Sequence, residues 1–115
     1  EHDWIELRLA DAILLYAEAL NANGSTAAAL TQLNKIRNRA GLANSTASGQ
    51  AAVKTAITNE RRLELAFEGH RWFDLVRTGT AQSVLGFSNA NYLVFPIPVS
   101  EILATNGVIT QNAGY

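Results

Sequence analysis

Residues 7–42 of this 115-residue chain read LRLADAILLYAEALNANGSTAAALTQLNKIRNRAGL, and this stretch decides the fold. Apolar residues recur in its first half at helical spacing, in two overlapping stripes: Leu7, Ala10, Leu14 and Ala17, and Leu9, Ile13, Tyr16 and Leu20. Two stripes predict a helix over residues 5–22 with a wide apolar face, which needs neighbours on more than one side. Gly24 is free to take the left-handed conformation that follows a helix end.

A second helix is predicted over residues 27–40, after a cap at Ser25 or Thr26 and before Gly41. Its inward positions are Leu30, Leu33, Ile36 and Ala40. A short link between two helices predicts an antiparallel hairpin. Small residues would let the helices approach closely, as in tetratricopeptide-type packing; these are Ala17, Ala19, Ala28 and Ala29.

Three further helical segments are predicted downstream, at residues 50–68, 70–77 and 81–85. The third helix of the chain has its apolar positions at Val53, Ala56, Ile57, Leu63 and Phe67. Beyond Gly79 the pattern changes: residues 92–95 favour a β conformation, Pro96 and Pro98 force an extended path, and residues 101–105 form a short helix.

The sequence therefore predicts a mainly α fold of antiparallel, tetratricopeptide-like helical hairpins with an irregular C-terminal extension. We expect residues 1–115 to form one domain, with hairpins over 1–79 and a mostly irregular, docked tail over 80–115.

Composition excludes several classes of function. The formal net charge is -1, which gives no long-range field toward nucleic acid or anionic membranes. Cysteine is absent, so disulfides, cysteine nucleophiles and thiolate zinc sites are excluded. Methionine is absent as well, and we expect a chain that starts at Glu1 to be a fragment of a longer protein.

Charged and large apolar residues alternate most densely over residues 60–77, ERRLELAFEGHRWFDLVR. Glu60, Glu64 and Glu68 are spaced to share one helical face, where like charges repel unless cations intervene. We predict a structural salt-bridge network that joins the third and fourth helices, and its members are Glu60, Arg61, Glu64, Glu68, Arg71, Asp74 and Arg77. Removing Arg71 or Asp74 is then expected to destabilise the fold strongly.

The alternative use of these acids is glycoside hydrolysis by a carboxylate pair drawn from Glu60, Glu64 and Asp74. That chemistry needs a general acid of raised pKa, whereas neighbouring guanidinium groups lower carboxylate pKa values. We therefore predict no catalytic residue. His2 and His70 have no second ligand at metal-binding spacing, so no metal or other cofactor is predicted. Trp4, ahead of the first helix, is the one aromatic candidate for ligand binding.

Four ordered motifs together resemble the SusD/RagB family: residues 60–77; the RxADxxLxYAEALN-like helix at 8–21; LNKIRNRAGL at 33–42; and FPIP at 95–98 followed by QNAGY at 111–115. The resemblance covers nearly the whole chain. Ala113 stands where the family usually has proline.

This resemblance implies a binding protein and no enzyme. Members are surface lipoproteins of the Gram-negative outer membrane, several times longer than this chain, that capture oligosaccharides or peptides and pass them to a SusC-like TonB-dependent transporter. It also implies that these helices are the scaffold, that the sugar site lies mostly in regions absent here, and that the lipid anchor lies outside this chain. The alternative is a stand-alone helical-repeat module for protein interaction, favoured by the wide apolar faces of the first two helices.

Overall fold

The computed structural model describes residues 6–115, so the predictions that concern His2 and Trp4 lie outside the described residues. The described elements are six α-helices and one short 3₁₀ helix: α1 Leu9–Ala22, α2 Thr26–Arg39, α3 Gln50–Glu64, α4 His70–Arg77, α5 Ala81–Leu85, the 3₁₀ helix Ala90–Leu93 and α6 Val99–Ala104. The predicted mainly α fold is confirmed, and no strand occurs among residues 6–115. Within that range, no helix has both the length and the apolar character that crossing a bilayer requires.

Helices α1, α2 and α3 pack together around one apolar core. Its buried residues are Ala10, Leu14 and Ala17 of α1, Ala29, Leu33 and Ile36 of α2, and Val53 and Ile57 of α3. The core stripe of α1 thus begins at Ala10, because Leu7 precedes the helix and is 80% exposed. The fully buried Ala17 and Ala29 supply the small surfaces that let these helices approach closely.

Two amide side chains tie the end of α1 to the start of α3. The Asn21 Nδ2 donates to the backbone carbonyl of Gln50 at 2.9 Å, and the Gln50 Nε2 donates back to the carbonyl of Asn21 at 2.7 Å. The hydroxyl of Thr26 donates to the Asn21 Oδ1. The last carbonyls of a helix lack intrahelical partners, so Gln50 satisfies one of those of α1. This exchange keeps the buried Asn21 hydrogen-bonded.

The end of α3 differs from the prediction. The helix stops at Glu64, four residues early, and residues 65–69 form a turn in which Phe67 has φ of 65° and Gly69 has φ of 80°. Leu65 is buried in this turn, whereas Leu63 and Phe67, predicted as core positions, are exposed. The change of direction after Glu64 moves Phe67 off the face that Val53 and Ile57 occupy, because helical spacing no longer relates these residues.

The chain divides into two compact units, the first ending at Arg71 and the second comprising Trp72–Tyr115. The sequence instead predicted the boundary between the helical hairpins and the irregular tail after Gly79. The earlier division follows from contacts inside the second unit: the ring of Trp72 lies 5.9 Å from that of Phe95, and Leu75 and Ala81 are both buried. The assignment of one domain with a docked tail stays a prediction.

Polar side chains organise the C-terminal end of the second unit. Gln111 pairs with the backbone of Ile97, accepting from its N–H at 2.7 Å and donating to its carbonyl at 2.9 Å. Asn112 donates to the carbonyl of Phe95, and the Tyr115 hydroxyl donates to that of Val94. The β-favouring residues 92–95 therefore receive side-chain partners in place of a neighbouring strand, and their first part is a 3₁₀ turn rather than the predicted extended segment.

Candidate functional site

Arg8, which immediately precedes α1, donates hydrogen bonds to Glu64 and Glu68, which lie at the start and near the end of the turn after α3. Its Nε and Nη2 donate to the two carboxylate oxygens of Glu68 at 2.7 and 2.8 Å, a bidentate arrangement. Its Nη1 donates to the Glu64 carboxylate at 2.5 Å, and its Nη2 also reaches the Glu64 carbonyl. Arg8 thereby satisfies a carbonyl at the end of α3 and joins two segments that lie 56–60 residues apart in sequence.

Two arginines at the end of α2 complete the neutralisation of the acidic face of α3. Arg37 Nη1 lies 2.7 Å from the Glu60 Oε2, and Arg39 pairs with the same Glu64 oxygen that Arg8 contacts. Arg37 also donates to the carbonyl of Ala43 in the loop that follows α2. Glu60 and Glu64 of α3, and Glu68 in the turn after it, therefore face arginines from two neighbouring segments, which offsets the repulsion that their spacing in the sequence implies.

A separate pair is buried between α1 and α3. Arg61 Nη1 lies 2.8 Å from the Asp11 Oδ1, and both side chains are at least 93% buried. Arg61 also donates to the backbone carbonyl of Asp11. Removing one partner of such a pair leaves an uncompensated buried charge, so the contact fixes how the two helices pack.

The remaining members of the predicted network lie near and within α4. Asp74 pairs with Arg77 at 2.9 Å, one helical turn away, and Arg77 is well exposed. Arg71 is half-buried and forms no ion pair with any residue of 6–115. Among residues 6–115, the predicted glutamates thus lie beside arginines of other segments, Arg61 lies beside Asp11, and Asp74 lies beside Arg77.

The sequence interpretation missed the partners of the glutamates. It assigned the cationic role to Arg61, Arg71 and Arg77, whereas Glu60, Glu64 and Glu68 pair with arginines from the first two helical segments: Arg8, Arg37 and Arg39. One signal was present in the sequence, because Arg37 and Arg39 lie at the end of the second predicted helix, beside the loop that leads to the third.

The electrostatics of the cluster oppose acid catalysis. The guanidinium of Arg8, by its hydrogen bond, holds the pKa of the Glu68 carboxyl below its usual range, and the same contact raises the pKa of Arg8. Glu60, Glu64 and Asp74 all accept hydrogen bonds from arginine, so none has the arginine-free setting that the glycosidase hypothesis requires. The arrangement can hold helices in place.

No group of three or more histidine, aspartate or glutamate side chains among residues 6–115 is placed to hold a metal ion. The Nε2 of His70 is buried without a hydrogen-bond partner among residues 6–115.

A groove of about 380 Å³ between the end of α1 and the start of α3 is lined by Glu18, Asn21, Gln50 and Lys54 together with two alanines. The amide nitrogens of its Asn21 and Gln50 are already used in the exchange described above.

Three helices that share one apolar core and are cross-linked by arginine–carboxylate pairs define a helical scaffold of tetratricopeptide-like type. The SusD family matches residues 1–92, and the chain belongs to this family. Among solved structures, a SusD homologue of Bacteroides thetaiotaomicron is 35% identical, with a TM-score of 0.84 over 95% of this chain and 25% of its own. A SusD-like protein of Bacteroides fragilis is 30% identical, with a TM-score of 0.82 over 97% of this chain and 26% of its own.

Curated relatives give the same result. One SusD-like protein of Formosa agariphila is 36% identical over 96% of this chain, and a second is 30% identical over 98%. The present chain covers 24% and 26% of these two proteins, so it spans about a quarter of the length of the relatives it matches.

Proposed function

We propose that this chain is the C-terminal helical scaffold of a SusD-like surface lipoprotein. The complete protein would lie on the outer membrane of a Gram-negative bacterium, bind oligosaccharides or peptides, and deliver them to a SusC-like TonB-dependent transporter. The observation that carries the proposal is the family match over residues 1–92, joined to a fold similarity that extends over almost the whole chain.

The internal chemistry of the first unit supports a scaffold role. Glu60 and Glu64 of α3 pair with arginines of α2, and the buried Asp11–Arg61 pair crosses from α1 to α3. These contacts fix helix positions and engage Glu60 and Glu64, two of the three acids considered for hydrolysis. We therefore propose that the chain serves binding and support rather than catalysis.

Purification of the complete protein from the outer membrane of its host tests the proposal. We expect the SusC-like transporter encoded beside it to co-purify, and we expect the complete protein to bind members of an oligosaccharide or peptide array. The 115-residue chain, applied to the same array, should bind none of them if it is scaffold alone.

Two results would contradict the proposal. A complete protein that retains neither transporter nor glycan nor peptide would remove the assigned role. A gene that encodes only these helices would favour the stand-alone interaction module, for which the exposed Leu7, Leu9 and Tyr16 of the α1 segment are the supporting observation.

A further inference from the structure

The turn between α3 and α4 presents one aromatic side chain completely to solvent. Phe67 is 103% exposed, more than any other large apolar residue that is described, and its backbone has φ of 65°. A bulky residue in the left-handed region is a conformational outlier, and such outliers persist only where the surrounding structure imposes them. Both the exposure and the backbone angle therefore need an explanation.

Hydrogen bonds engage the turn on both sides of Phe67. Arg8 contacts Glu64 before it and the Glu68 carboxylate directly after it. Leu65 in the same turn is buried, and the Glu68 N–H donates to the Leu65 carbonyl at 3.2 Å. An aromatic side chain whose backbone is fixed in advance loses little conformational freedom when a pocket covers it, which is characteristic of interface anchors.

The charges beside Phe67 indicate what kind of surface covers it. The carboxylates of Glu64 and Glu68 are neutralised by arginine. Arg62 is exposed and Arg71 is half-buried, and neither has an ion-pair partner among residues 6–115. The apolar side chains of Leu63 and Phe67 are thus flanked in sequence by two arginines without ion pairs among residues 6–115, to which an acidic rim around an apolar pocket is complementary.

We propose that Phe67 is an anchor that inserts into an apolar pocket with an acidic rim on the part of the SusD-like polypeptide outside residues 1–115. This inference rests on the proposed function. The matched relatives are about four times as long as this chain, so most of their structure lies beyond the matched quarter. The rest of the polypeptide is therefore the surface that we propose covers Phe67. The transporter and a second copy of the chain are the competing occupants.

Thiol labelling tests this proposal without removing Phe67. The 115-residue chain contains no cysteine, so Ala66→Cys places a single thiol on the exposed residue beside the anchor. Thr55→Cys, on the exposed side of α3, is the matched control for intrinsic reactivity. We expect the maleimide labelling rate at position 66, divided by that at position 55, to be at least about tenfold lower in the complete polypeptide than in the 115-residue chain. Peptide mass mapping assigns the label.

Two second-site variants identify the anchor. Adding Phe67→Ala to the complete polypeptide that carries Ala66→Cys should restore fast labelling, whereas Phe67→Leu should keep most of the protection because it retains an apolar side chain. Circular dichroism confirms that each variant is folded.

Three outcomes would overturn the proposal. The labelling ratio could be the same in both forms, protection could survive Phe67→Ala, or protection could arise only when the purified transporter or a higher protein concentration is supplied. The assay contains no glycan and needs no transporter, so its failure is distinct from failure of the proposed function.

Discussion

The two units of this chain maintain their structure by different means. In the first, α1, α2 and α3 bury a shared set of aliphatic side chains and cross-link through arginine–carboxylate pairs. In the second, only Leu75 and Ala81 are buried apolar residues, and side chains that bind backbone groups hold the end of the chain. The family motifs of the first unit therefore encode packing and charge pairing, whereas the C-terminal QNAGY motif encodes hydrogen bonds.

This difference predicts how each unit responds to mutation. Loss of a buried charge partner is costly because the remaining ion has no solvent, while loss of a partly exposed hydrogen bond is moderated by water. Hydrogen exchange on peptides from residues 9–64 and 81–115 reads the two units separately.

Arg61→Ala should have the largest effect. It leaves Asp11 buried without its counter-ion, and we expect a loss of about 3–5 kcal/mol in the free energy of unfolding. Chemical denaturation of the 115-residue chain measures it. The matched control is Arg62→Ala, because the adjacent Arg62 is exposed and has no ion pair in the described structure; it should change stability by less than about 0.5 kcal/mol. Equal effects of the two variants would contradict the buried pair.

Gln111→Ala should have a smaller effect, confined to the second unit. It removes both hydrogen bonds to the Ile97 backbone and should cost about 1–3 kcal/mol locally. We expect faster hydrogen exchange in residues 94–115 and unchanged exchange in residues 9–64. Gln111→Glu is the matched control, because it can still accept from the Ile97 N–H but cannot donate to the Ile97 carbonyl. Its exchange rates in residues 94–115 should therefore fall between those of the native chain and those of Gln111→Ala. Faster exchange in residues 9–64 would show that the units are energetically coupled.

Much of the first unit could be predicted from the sequence because residues close together in the chain determine its helices and their buried faces. The spacing of Leu14, Ala17, Leu33 and Ile36 gave the core faces of α1 and α2, and Gly24 and Gly41 marked their ends. Such periodicity depends only on residues a few positions apart.

The errors arose where distant residues decide the structure. Periodicity extended α3 to Glu68, but Arg8, some 60 residues earlier, binds Glu64 and Glu68 at the turn that follows the helix. Phe67 was therefore expected on the apolar face of α3 although it is exposed, whereas the exposed Leu63 lies within α3 but off the face that Val53 and Ile57 bury. The same distance concealed the pairs of Arg37 and Arg39 with Glu60 and Glu64, whose partners became neighbours only through packing of α2 on α3.

Glu68→Gln tests the partly exposed end of the network through pH. Arg8 lowers the pKa of Glu68 in the folded chain, so the carboxylate stabilises the fold above its unfolded pKa of about 4.3, and this stability is lost as the pH falls through the lower, folded pKa. At neutral pH the variant should be about 0.2–1 kcal/mol less stable, since the amide keeps one acceptor oxygen. Denaturation from pH 7 to pH 2.5 should show this difference shrinking in acid. A constant difference would mean that the Glu68 charge contributes nothing.

Arg71→Ala should have the smallest effect in this chain and corrects the strong destabilisation that the sequence suggested. Asp74 pairs with Arg77 instead, and the half-buried Arg71 has no ion pair among residues 6–115, so the expected change is within about 0.5 kcal/mol. The melting midpoint of the 115-residue chain measures it. In the complete polypeptide the same substitution should cost more, because the proposed acidic rim would lose a counter-charge. Arg71→Lys, which keeps the charge, should recover part of that difference. Equal, small effects in both forms would leave the acidic rim without support, since no carboxylate outside this chain would then depend on Arg71.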